Sequence, residues 1–407
     1  MTDRSLSVDA ALDLILSHVA PVAGTRREEL RAALGRTLAA DVVSPIDVPA
    51  HDNSAMDGYA LRASDLAASG ETRLRIAGSA FAGRPYGGEI GAGECVRIMT
   101  GAVLPRGGDT VVVQEITSTD GDWAIIPPGQ RPKQNTRRRG EDLAVGGIAV
   151  PAGRLLRPAD IGLVASLGIP DVEVRRPVRV AVFSTGDEVQ AIGTPTAPGQ
   201  IYDSNRYTLA GMLARLGCEV LDLGIVRDDP AALEKALRDA SENADAIITS
   251  GGVSVGEADF IRELMAKLGD VAFWKIAMKP GRPMAFGRIG SARLFGLPGN
   301  PVATMIAFYL FVRPALLKMA GVDPLPPAPA FAVRCSEALR KAKGRTEYLR
   351  GVLSRDEHGW QVRSTGAQGS GILRSMADAN CLIALESDRA DVAIGDSVTV
   401  MPFDGLV

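Results

Sequence analysis

The spacing of apolar positions changes several times along the chain, and each change predicts a different element. From Val8 to Val19 the apolar residues recur at helical spacing, and Ser7 stands where a helix cap is expected. The same spacing over residues 27–42 predicts a second helix. Prolines and polar residues then break the pattern, so we expect a domain boundary near residue 45.

Residues 60–145 combine many glycines with short β-type runs and predict a small β-rich domain. The segment 158–168 has the apolar spacing of a short amphipathic helix. We expect this helix to pack beside the N-terminal helices, so that the β-rich domain is an insertion.

Residues 178–301 alternate between strand-like and helix-like segments, a pattern typical of a parallel sheet with helices on both faces. Strands are predicted at residues 178–183, 219–226, 244–250 and 271–277 and around the sequences PMAFG and RLFGL. Helices are predicted in SNRYTLAGMLARLG and DPAALEKALRDASEN, after Asp259 and after Asn300. We therefore expect a multidomain α/β protein built around a doubly wound sheet.

Beyond a proline-rich linker at residues 323–331, five alternating segments predict a C-terminal β-barrel or sandwich. The patterns together indicate a discontinuous helical first domain, a β-rich second domain, an α/β third domain and a β-barrel fourth domain. Their predicted bounds are residues 1–45 with 146–176, 46–145, 177–325 and 326–407. A length of 407 residues fits this number of domains.

The composition is that of an ordinary soluble protein. A net charge of −3 gives no global attraction to nucleic acid or to an anionic membrane. Four cysteines without a C-x-x-C pair and three histidines without ligand spacing indicate neither a disulfide framework nor a zinc site, so oxygen atoms are the expected ligands of any metal. The N-terminus lacks the basic start of a signal peptide and no long apolar span stands out. We therefore expect a cytoplasmic protein that binds neither nucleic acid nor membrane.

The densest candidate chemistry follows the third predicted strand, in the sequence ITSGGVSVGEAD. Gly251 and Gly252 allow backbone amides to approach an anion, and hydroxyls are available from Ser250 and Ser254. The acids that open the next helix, ending with Asp259, suit a metal ion or a helix N-terminus. Two interpretations stay open at this point: a tight turn capped by Asp259, and a site for phosphate with a metal ion.

The other strand ends of the predicted sheet also carry polar residues. The acids are Glu188 and Asp228, the cations are Lys275, Lys279 and Arg282, and the last strand ends in Pro298, Gly299 and Asn300. Because ligands bind at the carboxyl ends of parallel strands, these residues should converge on one edge. Carboxylates and lysines together suit a phosphorylated ligand with Mg²⁺. Neither the P-loop motif nor the dinucleotide-binding glycine motif occurs in this sheet.

Four further candidates lie outside the sheet edge and have simpler alternatives. Asp57 lies in HDNSAMDGYA, Thr100 in RIMTGA and Asp142 behind three arginines in NTRRRGED. These loops suit contact with a metal or an oxyanion, but an anchored polar loop, a hairpin turn and a solvated charge cluster would look the same. Arg350 in the C-terminal domain is either a bare surface arginine or a contact to the sheet edge.

Eight motifs stand in order along the chain: DNSAMDGYA, RIMTGA, RRRGED, STGDE, ITSGGVSVGEAD, FWKIAMKPGRP, GLPGNP and TEYLRG. With them the chain resembles the molybdopterin molybdenumtransferases, the MoeA family that includes the gephyrin E domain. The motifs span nearly the whole chain, so the resemblance is specific. It implies an elongated four-domain subunit that forms a homodimer, with a third domain similar to the pterin adenylyltransferases and a site formed between two subunits.

The resemblance also implies an activity: molybdate is inserted into the dithiolene of adenylylated molybdopterin with Mg²⁺, which releases AMP and molybdenum cofactor. Position by position, catalytic roles fall on Asp57, Thr100, Asp142, Glu188, Lys275, Lys279 and Arg350; pterin and pyrophosphate contacts on Asp228, Ser250, Gly251, Gly252, Ser254, Pro298, Gly299, Asn300 and Ser370; and the metal on Glu188, Asp228 and Asp259. The sequence leaves open which acids bind metal and which bind pterin, and whether molybdate or tungstate is preferred.

Two alternative functions remain at this point. A pterin adenylyltransferase would share the GGVSVGEAD turn, but it would leave residues 1–175 and 325–407 without a role. A non-enzymatic scaffold of the gephyrin type would have no need of the acids and lysines. The partner proteins we consider are a second copy of the chain, a pterin adenylyltransferase and maturation proteins of molybdenum enzymes.

Overall fold

The computed structural model describes residues 5–252, 264 and 267–403. The chain divides into two compact units. One unit comprises Met1–Ala40, Ala152–Arg157 and Glu173–Val407, and the other comprises Asp41–Pro151 and Pro158–Val172.

A six-stranded sheet forms the centre of the first unit. Its strands, in spatial order, are Glu219–Val226, Arg179–Thr185, Ala246–Ser250, Ala292–Leu297, Pro283–Ile289 and Gly269–Lys275. Alternate residues of the strand Arg179–Thr185 enter different apolar clusters: Val180 and Val182 join one, and Ala181 and Phe183 join the other. Both faces of the sheet are therefore buried, which explains why its strands read as continuous apolar runs.

Four strands of this sheet are parallel, as predicted, but the sheet as a whole is mixed because one strand runs in the opposite direction. The strands Pro283–Ile289 and Ala292–Leu297 form an antiparallel hairpin joined by two residues, of which Gly290 has a φ of 56°. Such short connections require antiparallel strands and positive φ angles. The edge strand Gly269–Lys275 is antiparallel to Pro283–Ile289, so it runs in the same direction as the four parallel strands. Its carboxyl end therefore lies at the same sheet edge as theirs.

The helices of the α/β domain begin and end close to the predicted positions. They are Asn205–Arg215, Pro230–Asn243 and a long helix composed of Pro301–Ala307, a π-helical turn at Phe308–Val312, and Arg313–Met319. Asp229 caps the second of these by accepting hydrogen bonds from the backbone amides of Ala231 and Ala232, at 3.0 and 3.1 Å. The helix predicted after Asp259 lies outside the described residues.

The long helix corrects the expectation that the chain has no long apolar span. Residues Pro301–Met319 are long and apolar enough to cross a membrane by length and composition, but 83% of the apolar window is buried inside the protein. Phe308 and Phe311 are fully buried in the larger apolar cluster. The helix is therefore a core helix of the first unit.

Of the two helices predicted in the N-terminal segment, the first is present and the second is not. The helix Val8–His18 forms, and the Ser7 hydroxyl accepts a hydrogen bond from the Ala10 amide at 3.1 Å. The second predicted helix is wrong: Thr25–Glu29 is a strand paired with Asp171–Arg175, followed by a single turn that ends at Gly35. Pairing with a distant strand outweighs local helix propensity here.

The C-terminal domain is a closed five-stranded barrel, as predicted. Its strands are Phe331–Cys335, Thr346–Asp356, Gly359–Ser364, Cys381–Leu385 and Ser397–Pro402, with a short helix at Arg374–Ala377. Closure comes from the long strand Thr346–Asp356, which pairs with both Gly359–Ser364 and Cys381–Leu385. A closed barrel leaves no sheet edge among these five strands.

The second unit contains the predicted β-rich structure and one α-helix. Its sheet has six strands, in the order Thr110–Val113, Gly58–Leu61, Glu94–Ile98, Thr72–Ala80, Trp123–Ile126 and Ser118–Asp120. Short pairs join Asn53–Ser54 to Thr136–Arg137 and Val42–Val43 to Ile148–Val150, and the helix is Pro158–Ser166. Two apolar clusters pack on this sheet, one around Leu61 and Leu74 and one around Val96 and Ile98.

Candidate active site

A cavity of about 650 Å³ lies at the carboxyl ends of the parallel strands. Its wall brings together residues from four strand ends and from one barrel loop. The predicted residues that line it are Glu188, Asp228, Ser250, Gly251, Gly252, Pro298, Gly299 and Asn300. A volume of this size accommodates a small organic ligand with phosphate groups.

Two carboxylates on this wall have defined neighbours. Asp228 accepts a hydrogen bond from the Thr185 hydroxyl at 2.9 Å. Glu188 lies over Gly186, because a β-carbon added to that glycine would meet a Glu188 carboxylate oxygen at 2.6 Å. The segment STGDE therefore contributes Glu188 to the cavity and orients Asp228 through the hydroxyl of Thr185.

The Gly-Gly turn requires glycine at its first position. Gly251 has a φ of 96°, and a β-carbon there would lie 2.4 Å from the Thr185 carbonyl oxygen. The Gly251 amide donates to the Leu297 carbonyl at 3.2 Å, so this turn packs between two neighbouring strand ends. Close backbone approach of this kind is what a glycine turn provides at a ligand site.

Two polar residues of the cavity wall were missed from the sequence. The Asn205 amide donates to the Ser250 hydroxyl at 2.7 Å and to the Gly299 carbonyl at 2.6 Å, which ties two glycine loops together. Asp203 is 3% exposed, accepts from the Ser184 hydroxyl at 2.9 Å and pairs with Arg206 at 2.9 Å. The sequence IYDSNR could have indicated these polar residues, because it comes directly before a predicted helix and short polar residues concentrate at helix starts.

The two lysines of the FWKIAMKPGRP motif do not share a strand. The strand Gly269–Lys275 ends at Lys275, opposite Pro283 of the cavity wall. Lys279 instead belongs to a short strand that pairs with the barrel, and its ammonium lies 3.3 and 3.4 Å from the two carboxylate oxygens of Glu347. Although only four positions separate the two lysines, they belong to different strands and pair with different neighbours.

Arg350 is fully buried, so the surface alternative is wrong. Its guanidinium donates to the Ser375 hydroxyl at 3.0 Å and to the carbonyls of Gly369 and Ala367 at 3.1 and 3.5 Å. Among the described residues its Nη1 atom has no hydrogen-bond partner. Burial lowers the pKa of Arg350 to about 10, because desolvation disfavours the charged form.

The loop held by Arg350 reaches the cavity. Gly371 and Leu373 line the cavity wall, and the Ser370 carbonyl accepts a hydrogen bond from the Val302 amide at 3.1 Å. Ser370, which the resemblance assigns to the pterin contacts, therefore lies beside the PGNP loop. Arg350 therefore supports a loop that contributes two residues to the cavity wall.

Of the three acids predicted to bind the metal, two line the cavity. Glu188 and Asp228 supply carboxylate oxygens, whereas Asp259 and Ser254 lie outside the described residues. Within the described part of the chain, no group of three or more histidine, cysteine, aspartate or glutamate side chains could hold a metal ion. Mg²⁺ commonly takes one or two carboxylates and completes its shell with substrate phosphates and water, so two acids suffice.

The second unit brings Asp57 and Thr100 together. The Thr100 amide and hydroxyl both donate to the same Asp57 oxygen, each at 2.7 Å. These bonds, the backbone one first, lower the pKa of Asp57 below its ordinary value, with a smaller contribution from the charge of Arg97. Asp57 is therefore ionised and fixed in orientation at neutral pH.

Replacing Thr100 by valine is expected to raise the pKa of Asp57, because one of two stabilising bonds is lost. Since the folded pKa lies below the unfolded value, the contribution of Asp57 to stability is present above the unfolded pKa and is lost as pH falls through the folded pKa. The carboxyl ¹³C shift of Asp57 measures the pKa directly. Thr119→Val, on an exposed strand of the same unit, is the control; an unchanged Asp57 pKa in Thr100→Val would contradict this account.

Asp142 is exposed and lies in a tightly bonded charged turn. The Arg139 amide donates to Asp52 at 2.7 Å, and the Arg139 guanidinium pairs with Asp47 at 2.5 Å. The Arg138 amide donates to Glu141 at 2.8 Å. The turn is therefore locally ordered, and the Asp142 side chain lies at its exposed surface.

Comparisons with known proteins cover nearly all of the chain. Residues 6–168 match the model of the MoeA N-terminal region (domain I and II), residues 181–318 match a probable molybdopterin binding domain, and residues 332–403 match the MoeA C-terminal region (domain IV). The three matches follow one another without overlap.

Full-length relatives and solved structures agree with these matches. The chain is 44% identical to a molybdopterin molybdenumtransferase of Haemophilus influenzae over 99% of this chain and 100% of the relative, and 36% identical to one of Nostoc sp. over 92% and 87%. It is also similar to the crystal structure of a molybdopterin biosynthesis MoeA protein from Pyrococcus horikoshii, with a TM-score of 0.84 and 27% identity over 98% and 100% of the two chains.

Proposed function

Because the chain belongs to the molybdopterin molybdenumtransferase family and is an enzyme of molybdenum cofactor biosynthesis, we propose that its cavity binds adenylylated molybdopterin and exchanges AMP for molybdate. The observation that carries this proposal is the cavity at the sheet edge, where two carboxylates, a Gly-Gly turn and the PGN loop meet. A pyrophosphate-linked substrate needs backbone amides and counter-charges together.

Each part of the wall has a distinct task in this proposal. The turn at Gly251 and the loop at Gly299, tied by Asn205, cradle the pyrophosphate. Glu188 and Asp228 would hold Mg²⁺, which supplies charge neutralisation of the pyrophosphate when bound. Outside the wall, Lys275 opposite Pro283 and Lys279 beside Glu347 would provide positive charge for phosphate or molybdate oxygens.

The test is a defined reaction with adenylylated molybdopterin, Mg²⁺ and molybdate, in which AMP release and molybdenum cofactor are both measured. We expect AMP release to depend on molybdate and on the divalent cation. ATP consumption without molybdate would instead indicate a pterin adenylyltransferase. The full-length relatives favour neither that activity nor a scaffold.

We also propose that the enzyme is a cytoplasmic homodimer whose site is completed by the second subunit, with a pterin adenylyltransferase as the source of its substrate. The support is chemical: Asp57 with Thr100 forms a second ionised, oriented carboxylate site in a separate compact unit. An adenylylated substrate must also come from an adenylyl transfer reaction.

Subunit mixing tests the shared site. Asp57→Ala and Asp228→Ala homodimers should each be inactive, and a random mixture should recover about a quarter of wild-type activity, since half of the dimers are mixed and each has one intact site. Refolding the two variants together, with light-scattering mass as a check on dimers, gives the measurement. Mixing Asp57→Ala with Thr100→Val, which alter the same unit, is the control and should give no more than the average activity of the two variants. Failure of the first mixture to recover would place the whole site within one subunit.

A further inference from the structure

Lys279 and Glu347 occupy directly paired positions where the α/β domain meets the barrel. The short strand Met278–Lys279 runs parallel to the barrel strand Thr346–Asp356, and Lys279 is opposite Glu347 in this register. Because the backbones are hydrogen-bonded strands, the origins of both side chains are fixed. Only their side-chain torsions can change the distance between the two charges.

The two members of the pair differ strongly in exposure. The side chain of Glu347 is 7% exposed, whereas that of Lys279 is 54% exposed. A buried carboxylate needs a nearby cation or donor, so Glu347 favours the arrangement in which Lys279 covers it. Lysine has a long flexible stem and a solvated ammonium, so Lys279 is the partner that can move.

The contact is also loose enough to be exchanged. The Lys279 ammonium lies 3.3 and 3.4 Å from the two Glu347 oxygens, longer than the 2.7–2.9 Å typical of tight charge-assisted bonds. The ammonium therefore lies between two oxygens without a short bond to either. An incoming oxyanion offers it the same kind of acceptor.

We propose that Glu347 is a positioning residue that competes with the oxyanion substrate for Lys279 and thereby limits the affinity for molybdate. The inference rests on the proposed role of Lys279 in binding that oxyanion. Glu347 holds the ammonium in place while no anion is bound. Its negative charge then weakens the attraction of Lys279 for a bound anion.

Glu347→Gln tests this directly, because glutamine keeps an oxygen acceptor for Lys279 and removes only the charge. We expect the dissociation constant of molybdate, measured by calorimetry, to fall about threefold to tenfold, and the gain to shrink at high salt. Glu357→Gln is the matched control: it removes the same charge from the same barrel, at a side chain that is 86% exposed. That control should bind molybdate as the wild type does.

Lys279→Met and the double variant with Glu347→Gln separate the inference from the proposed function. Lys279→Met should weaken molybdate binding, and adding Glu347→Gln to it should give no gain. If Lys279→Met binds molybdate normally, the assignment of Lys279 and the inference both fall. If Lys279→Met weakens binding but Glu347→Gln binds no more tightly than wild type, the proposed role of Lys279 stands and the inference is overturned.

The unaltered protein provides a second readout that does not depend on a buried substitution folding well. Adding molybdate to protein labelled at glutamate Cδ should shift the Glu347 carboxyl resonance, because the ammonium leaves it. The Glu357 resonance should not move. A Glu347 resonance that is unchanged at saturating molybdate would overturn the inference.

Discussion

Asp228→Asn is expected to lower the rate of AMP release about 100-fold or more, with little change in the unfolding temperature. The substitution keeps the shape of the side chain and an oxygen that accepts from Thr185 at the cavity wall. It removes the negative charge that would attract a divalent cation and so help to orient the pyrophosphate. Removing one electrostatic contact at a reacting centre typically lowers the rate by about 100-fold or more. The measurement is the steady-state rate at saturating substrate and Mg²⁺.

The neighbouring acid supplies a matched control with the opposite outcome. Asp229 caps the helix Pro230–Asn243, so Asp229→Ala should reduce stability by about 1 kcal/mol and leave the rate near that of the wild type. If Asp228→Asn keeps the full rate, or if the two variants lose activity equally, Asp228 has no specific part in the reaction.

Gly251→Ala is expected to reduce the free energy of unfolding by about 2–4 kcal/mol and to abolish substrate binding. The added methyl group would lie 2.4 Å from the Thr185 carbonyl oxygen, and the φ of 96° is unfavourable for alanine. The nearest atoms are the backbone carbonyl oxygen and carbon of Thr185, which cannot rotate away as a side chain could. The turn itself must therefore move. That movement displaces the proposed pyrophosphate cradle.

Gly224→Ala isolates the steric part of this effect. Gly224 belongs to the same sheet and has a φ of 74°, but a β-carbon there has nothing within 4 Å. We expect a loss of only about 1 kcal/mol from the positive φ. Urea unfolding can be followed through Trp274 of the central sheet after Trp123 and Trp360 are replaced by phenylalanine. Equal losses in the two alanine variants would contradict the close contact at Gly251.

Local patterns were sufficient to predict most elements of the fold. Strands buried on both faces read as apolar runs, and a helix such as Pro230–Asn243 carries its own cap and proline signal. The barrel strands alternate because one face packs inward. These features depend on a few adjacent residues, and a sequence displays them directly.

The wrong predictions depend on partners distant in sequence. Residues 25–29 form a strand only because Asp171–Arg175 lies beside them. The hairpin at Gly290 reverses a strand that resembles its parallel neighbours. Spacing within a segment contains neither kind of information.

The candidate site shows the same limit. Glu188, Asp228 and the glycine turn could be predicted because they follow predicted parallel strands, and a parallel sheet brings its carboxyl ends together. Burial of Arg350 beneath a barrel loop depends on tertiary packing. The bridging contacts of Asn205 join two glycine loops that are distant in sequence, so they depend on tertiary packing.

The long helix Pro301–Met319 has a consequence for the order in which the protein is made. All strands of the central sheet precede this helix in the chain. The sheet can therefore cover one side of the helix as soon as the helix leaves the ribosome. Its other contacts come last: Tyr309 stacks on Phe403 at a ring-centroid distance of 5.6 Å, and Leu382 and Met401 join the same apolar cluster. Nascent or prematurely terminated chains that lack the barrel would expose a membrane-like helix surface, which makes them natural targets for chaperones and quality-control proteases.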